Sequence, residues 1–447
     1  MRVHAFVDEG LGHSSYLIDL GDGSAAIVDP PRFPDAEERL ADHLGLRLAW
    51  TVDTHSHADY VTGSPGLVHR RHTVFLAPAA SHLETPHRPV ADGDHVELAP
   101  GIDLVAIATP GHTPDHHAYV LTEHGSQVAL FSGGSLMVGT VGRTDLCGLA
   151  LAAPLAHDMF RALRRFDALP DELALYPTHG AGSFCSAPGS AARTSTLGVE
   201  RATNALLRLT DEDEFVDRLL AGFGTFPAYF ARLPEVNRHG PTAYEFLPQL
   251  PELTPAEVDA LIAEGAVVVD GRSIADFSAA HIPGSISNVL RPVFATWVGW
   301  LVGPDRPIVF VLGDDQPREE AVRQCLDIGH EPLAGVLAGG IDAWRESGRT
   351  TGRVELVGSE HVRADLVDVR QANEFTAGHV PGAINVELGA IPNTELPRRP
   401  LTVMCGHGER AMTGASLLAA HGYDVDVFDG GPDTWSTATG RPLQIGR

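Results

Sequence analysis

The stretch PLTVMCGHGERAMTGAS carries Cys405 from the end of an apolar run into the short loop CGHGER, which runs into a helix-like segment. Backbone N–H groups of such a loop point inward, and the following helix adds the positive end of its dipole, a setting that favours a thiolate. A thiolate held there is a nucleophile able to take up a sulfane sulfur. Gly406 and Gly408 permit the tight curvature around His407. Arg410 places positive charge near the sulfur or recognises an anionic donor such as thiosulfate.

A second set of residues suits a metal ion. In TVDTHSHADYVTGS, His55, His57 and Asp59 alternate just after an apolar run, which puts them on one side of the chain. ATPGHTPDHH brings His112 after a glycine that leaves its approach uncrowded, and LYPTHGAGSFC brings His179. Imidazole is the commonest metal ligand at neutral pH, and three such clusters in one region point to a shared ion. His69, His72, His82, His87 and His124 read as solvated surface. Arg143 either binds the carboxylate of a small thiol or pairs with Asp145. Cys185, six residues after His179, reads as a buried inert thiol or as a sulfur acceptor near the cleft.

The elements that must position these residues are legible as alternating strands and helices. Short apolar runs (SYLIDL, AAIVD, RLAWTVDTH, TVFLA, IDLVAIAT, QVALFSG, LALYPTH) end in His or Asp, where a sheet can hold polar groups toward one cleft. From Thr194 to about Leu233 the pattern turns helical, and GPTAYEFLPQLPELTPAE reads as a linker ending in a Thr-capped helix start. Beyond it lies a repeat: DGRSIADFSAAHIPGSISN from Asp270 returns as DVRQANEFTAGHVPGAIN from Asp368. Asp, Arg, Phe, His, Pro and Gly recur at one offset, and each copy ends at a Gly-Gly followed by Trp344 or Trp435. Alignment of Pro307 with Pro400 and of Gly329 with Gly422 sets Leu312 against Cys405. The first copy's loop, LGDDQPRE, has no thiol, two added acids, and Pro317 where Arg410 would stand; Cys325, inside the following helix, is no replacement. Asp368, Arg370, Glu374 and His379 therefore read as structural. The expected fold class is α/β, with boundaries at 1–251, 252–350 and 351–447.

The first region resembles the metallo-β-lactamase superfamily through THSHADY, TPGHTP, LFSGG and PTHG. It is more closely similar to persulfide dioxygenases through THSHAD, the Thr-Gly at 62–63 and GRTDL at 142–146. The later copies resemble rhodaneses, CGHGERA matching their CxxGxR loop. The resemblance implies an N-terminal αββα fold followed by two parallel-sheet rhodanese-like domains. It also implies one non-haem iron held by two His and one Asp, with positions open to a thiol persulfide and dioxygen. Carried onto this chain, the histidines are His55 and His112, while Gly134 stands at the aspartate's position and Tyr60 replaces the last His of HxHxDH. His57 is then the third histidine of a three-His alternative, for iron or zinc, and Asp59 or Asp145 is a further substitute.

A net charge of -26, from 58 acidic against 32 basic residues, argues against nucleic acid or an anionic membrane as partner. No run approaches a membrane span or a signal peptide, and the four cysteines (Cys147, Cys185, Cys325, Cys405) show no disulfide or zinc-knuckle spacing, so a cytoplasmic location is expected. The reading is a sulfur-handling enzyme. Cys405 carries a persulfide, and the N-terminal domain binds and oxidises a low-molecular-weight thiol persulfide, with thiosulfate or sulfite as the anionic partner. A glyoxalase-type thioester hydrolase and a non-catalytic scaffold are the rivals, and homo-oligomerisation is left open.

Overall fold

The computed structural model describes residues 1–180, 182–185, 192–363 and 365–446. The chain divides into two compact units, Met1–Phe246 with Leu326–Gly329, and Leu247–Cys325 with His330–Arg447.

In the first unit the apolar runs form two six-stranded sheets. One follows the order Arg2–Asp8, His13–Asp19, Ser24–Val28, Arg47–Val52, Val74–Pro78, Arg88–Val90. The other follows Ser195–Thr196, Ala174–Pro177, Ser126–Gly133, His117–Glu123, Ile102–Ala108, His95–Ala99. Side chains alternate along each strand, so each sheet buries two faces. Tyr16, Ile18, Val28 and Val52 meet Leu104, Tyr119, Leu121 and Phe131 between the sheets. Leu17, Ile27 and Leu48 face outward beneath Ala41 and Leu67 of the helices Asp35–His43 and Ser64–Arg71. On the far side Val120, Leu130 and Leu175 pack under Met159, Leu163, Phe215 and Leu219 of the helices Leu149–Arg164 and Glu212–Ala221. The result is an αββα sandwich. The strand His117–Glu123, paired on both sides, falls in a stretch whose histidines had masked its apolar alternation.

The second unit holds two five-stranded parallel sheets of one topology. Their orders are Glu252–Leu253, Leu333–Leu337, Ile308–Val311, Val267–Asp270, Ile286–Ser287 and Glu355–Val357, Val425–Phe428, Leu401–Met404, Leu366–Asp368, Ile384–Asn385. Thr254 caps the helix Pro255–Ala263 in a reciprocal box with Glu257, as its place before Pro-Ala-Glu foretold.

The recurring residues are the scaffold of both copies. Arg370 forks onto Asp368 (Nε–Oδ1 3.0 Å, Nη2–Oδ2 2.7 Å) and reaches the Gly378 carbonyl at 2.8 Å. Arg272 repeats this on Asp270 at 2.9 and 2.6 Å and reaches the Ala280 carbonyl at 2.8 Å. His379 and His281 stack on Phe375 and Phe277, with ring centroids 3.8 and 4.0 Å apart. Both carboxylates are fully buried. Removing one partner of such a pair strands the other's charge. Asp368→Ala is therefore expected to lower stability by about 3–5 kcal/mol, read as a fall in the denaturant midpoint of the full chain.

Candidate functional site

In the first unit the strand ends converge. Arg47–Val52 leads into Asp53–Asp59, Ile102–Ala108 leads toward His112, Ser126–Gly133 ends beside Gly134, and Ala174–Pro177 ends beside Thr178 and His179. The rings of His55, His57, His112 and His179 gather there. His55 lies 4.3 Å from His57, 4.9 Å from His112 and 5.3 Å from His179 between centroids, and His112 lies 5.2 Å from His179. All four are buried, as is Asp59.

Their hydrogen bonds fix which nitrogen faces the cluster. His112 Nδ1 donates to the Arg143 carbonyl at 2.8 Å, which leaves the Nε2 lone pair buried and without a partner. His57 Nε2 lies 3.2 Å from Asp29 Oδ1 and 3.0 Å from the Tyr60 hydroxyl, and its Nδ1 is likewise buried and unpartnered. His55 Nε2 approaches His179 Nε2 at 3.3 Å, and His179 Nδ1 lies 3.2 Å from Asp59 Oδ2. Among the described residues neither Asp59 oxygen meets a well-aligned donor, His179 Nδ1 at 3.2 Å included.

Burial, reinforced by His179, pushes His112 down to about 3, and burial with the neighbouring rings holds His55 far below its ordinary value. Both are neutral near pH 7 with lone pairs available, the state a metal requires. Burial works against charging His57, but the Asp29 carboxylate outweighs it and raises the ring; burial likewise opposes ionising Asp29, which its pairing with His57 reverses. Asp29 thus keeps a proton on Nε2 and turns Nδ1 toward the cluster, the usual arrangement behind a metal-binding imidazole. Burial also drives Asp53 up to about 7.

Unpartnered imidazole nitrogens and a buried carboxylate without a well-aligned donor are costly unless a cation answers them, so these residues fit a metal ion. Three groups offer donor atoms within 4.8 Å of one another: His55, His57 and His179; His112, His179 and Cys185; and Asp29, Asp53 and His57. His179 is shared by two of them, whereas the expected trio of His55, His57 and His112 forms no such group among the described residues.

The remaining residues read from sequence have other surroundings. Arg143 is buried with its donors engaged, by Asp145 at 2.6 and 2.8 Å, the Phe184 carbonyl at 3.0 Å and the Gly224 carbonyl at 2.7 Å. Its guanidinium also lies over Phe226, 4.4 Å from the centroid. The ion pair with Asp145 is the reading this geometry favours, and it keeps Asp145 from the cluster. Tyr60 stacks between His13 and His57, at 4.1 and 4.3 Å, where a histidine would otherwise face a second ion. Sequence reasoning passed over Asp29, whose signal was only an Asp after the run AAIV. It also passed over His116, whose Nε2 accepts the Gly134 N–H at 2.8 Å.

In the second unit Cys405 follows the strand Leu401–Met404 and the helix Glu409–Ala420 begins four residues later. Its Sγ accepts the Gly408 N–H at 3.1 Å. Gly408 has φ +105°, and a side chain there would meet Ile274 Cδ1 at 2.9 Å. Gly406 is packed from behind, because a Cβ at Gly431 would lie 2.3 Å from its carbonyl oxygen. His407 is exposed. Arg410 forks onto Glu374 at 2.6 and 2.8 Å, so Glu374, read as structural, is the partner of the loop arginine. In the first copy Leu312 holds the place of Cys405 after Ile308–Val311, and the Gln316 side chain braces the loop through Gly313 N and the Gly271 carbonyl.

The rhodanese-like domain family matches residues 254–347 and 355–438. The chain is 32% identical over 215 residues to the human (Homo sapiens) persulfide dioxygenase ETHE1, mitochondrial, which covers 45% of this chain and 74% of that protein. The chain belongs to the persulfide dioxygenase family. It is also 33% identical over 165 residues to the hydroxyacylglutathione hydrolase of Aliivibrio fischeri (strain MJ11), covering 37% of this chain and 60% of that one. Among solved structures it resembles a metallo-beta-lactamase from Staphylococcus aureus subsp. aureus COL, with a TM-score of 0.68 and 29% identity over 75% of this chain and 98% of that chain.

This persulfide dioxygenase homologue departs from the pattern at Gly134 by more than a deletion. A Cβ there would lie 2.2 Å from His112 Cδ2, so the histidine ring has taken the room of the side chain. Gly134→Ala is expected to cost about 1–3 kcal/mol as overpacking, measured by thermal unfolding, although alanine is normally harmless outside left-handed backbone.

Proposed function

We infer that this chain is a sulfurtransferase working through a persulfide on Cys405, joined to a persulfide dioxygenase-like domain with an altered metal site. The observation that carries the first half is the bond from Gly408 N–H to Cys405 Sγ at the mouth of the helix Glu409–Ala420. The Cys405 thiolate attacks the outer sulfur of thiosulfate, the S–S bond breaks, and sulfite departs with the bonding pair; a thiol persulfide gives the same enzyme form and releases its thiolate. Arg410 is held by Glu374 beside the loop, where it orients an anionic donor without adding an unbalanced charge. Gly406, His407 and Gly408 line the approach.

The same reading gives the chain three working modules, 1–251, 252–350 and 351–447, the middle one a spacer without a nucleophile. In the first module the cluster centred on His179, with His55 and His57 on one side and His112 on the other, would hold one iron or zinc ion, which when bound supplies an electrophilic centre for a thiol persulfide and, as iron, for dioxygen. The chain's own part is to keep His55 and His112 neutral and the whole cluster aimed and dry, with Asp29 and the Arg143 carbonyl fixing His57 and His112. Among the described residues no helix is long and apolar enough to cross a membrane. Cys147, Cys185 and Cys405 are free thiols, which fits the reducing, cytoplasmic setting of this reading.

Similarity to hydroxyacylglutathione hydrolases favours thioester hydrolysis as the second reading. It is weakened by Tyr60, whose hydroxyl is held by His57, and by Gly134. Incubation with thiosulfate and intact mass measurement should add one sulfur atom to the wild-type chain and none to Cys405→Ser. Cyanide should then release it as thiocyanate. Retained sulfur transfer by Cys405→Ser would overturn the assignment of Cys405, and two zinc ions per chain with thioesterase turnover would replace this reading by the hydrolase.

A further inference from the structure

Cys185 is fully buried, yet it does not sit among apolar side chains alone. Its Sγ and one ring nitrogen each of His112 and His179 lie within 4.8 Å of one another. Among the described residues His112 Nε2 has no hydrogen-bond partner, and the Asp59 carboxylate lies beside both His179 and the Cys185 thiol. An ordinary core cysteine behaves as a small hydrophobe, whereas this one faces a carboxylate and two buried imidazoles, one of them with an unpartnered nitrogen.

The backbone holds this arrangement on purpose-built contacts. Arg143 N–H donates to the Cys185 carbonyl at 3.0 Å, Arg143 Nη1 donates to the Phe184 carbonyl at 3.0 Å, and the Arg143 carbonyl accepts from His112 Nδ1 at 2.8 Å. One residue, itself clamped by Asp145, therefore fastens both the cysteine and the histidine. Opposite it, Gly134 offers no donor and leaves no room for one, since His112 fills the space.

We propose that Cys185 supplies the anionic ligand missing at Gly134, so that the ion of this domain is held by His112, His179 and the Cys185 thiolate. A cation at such a place deprotonates the thiol outright, and the thiol proton leaves to solvent on binding. A two-nitrogen, one-sulfur set with a remaining open position suits zinc better than the harder donor set of a non-haem iron centre. Arg143 is then a positioning residue for both ligands.

The inference rests on the reading of this cluster as a metal site, and the test separates the two. Full-length protein carrying Cys405→Ser, so that the rhodanese loop contributes no thiolate, is stripped by chelator and titrated with cobalt(II). One equivalent should bind with a near-ultraviolet thiolate-to-cobalt charge-transfer band. Adding Cys185→Ser should abolish the band and weaken binding by at least about tenfold, because even groups one step outside a metal's ligands cost 10–100-fold. X-ray absorption of the zinc-loaded wild-type chain needs no variant at Cys185 and should show one sulfur near ~2.3 Å beside nitrogens. Stoichiometric binding with no charge-transfer band and no sulfur scatterer would overturn the cysteine assignment in favour of His55, His57 and His179. No binding of either metal would overturn the metal site itself.

Discussion

The first unit is organised around one buried carboxylate. Asp29, at the end of the strand Ser24–Val28 and with φ +50°, accepts from Thr54 N at 2.7 Å, from Thr54 Oγ1 at 2.8 Å, from the Thr178 hydroxyl and from His57 Nε2. An ionised carboxylate out of water must be surrounded by donors, and here those donors come from both sheets. The demand for them draws the loop after Arg47–Val52 and the turn after Ala174–Pro177 to one point. The same charge raises His57 and sets its tautomer. Two of the segments that carry the cluster, residues 54–57 and 178–179, are thus tied together through Asp29.

The second unit applies the same economy twice and diverges only where chemistry happens. Both copies bury an Asp–Arg fork and a Phe–His stack behind an identical strand order. These contacts serve a copy with a thiol and a copy without one equally, so they are scaffold. What differs is the turn after the fourth strand of each copy. In one it presents an amide to sulfur; in the other a glutamine side chain caps the turn and Leu312 is packed away.

Much of this was legible in the sequence, for a physical reason. The Cys405 loop is contiguous, so strand, turn and helix dipole are all encoded within about a dozen residues, and the parallel-sheet class follows from alternation and repeat, whereas the αββα class was implied by the resemblance. The metal cluster was only half legible. His55 and His57 announce themselves by alternation, but the selection among His57, His112, His179, Asp59 and Cys185 depends on strands far apart in the chain meeting at their ends. Local spacing carries no information about which ring nitrogen remains free once Asp29, Tyr60 and the Arg143 carbonyl have taken theirs. Arg143 shows the limit in reverse: its pairing with Asp145 was one of two readings of the sequence, but the Phe184 and Gly224 carbonyls that take its other donors come from distant segments.

The departures at Tyr60 and Gly134 could be taken as decay of a metal site into a fold that merely persists. The packing argues otherwise. A cluster relieved of its ion would be stabilised by apolar replacements, because buried unpartnered nitrogens and carboxylate oxygens each cost free energy while matched hydrocarbon costs none. Instead Tyr60 places its hydroxyl on His57, adding an anchor where a ligand was lost, and the His112 ring fills the room above Gly134 while keeping Nε2 pointed inward. Contacts that hold His57 and His112 in fixed orientations are what the proposed metal site requires of its imidazoles.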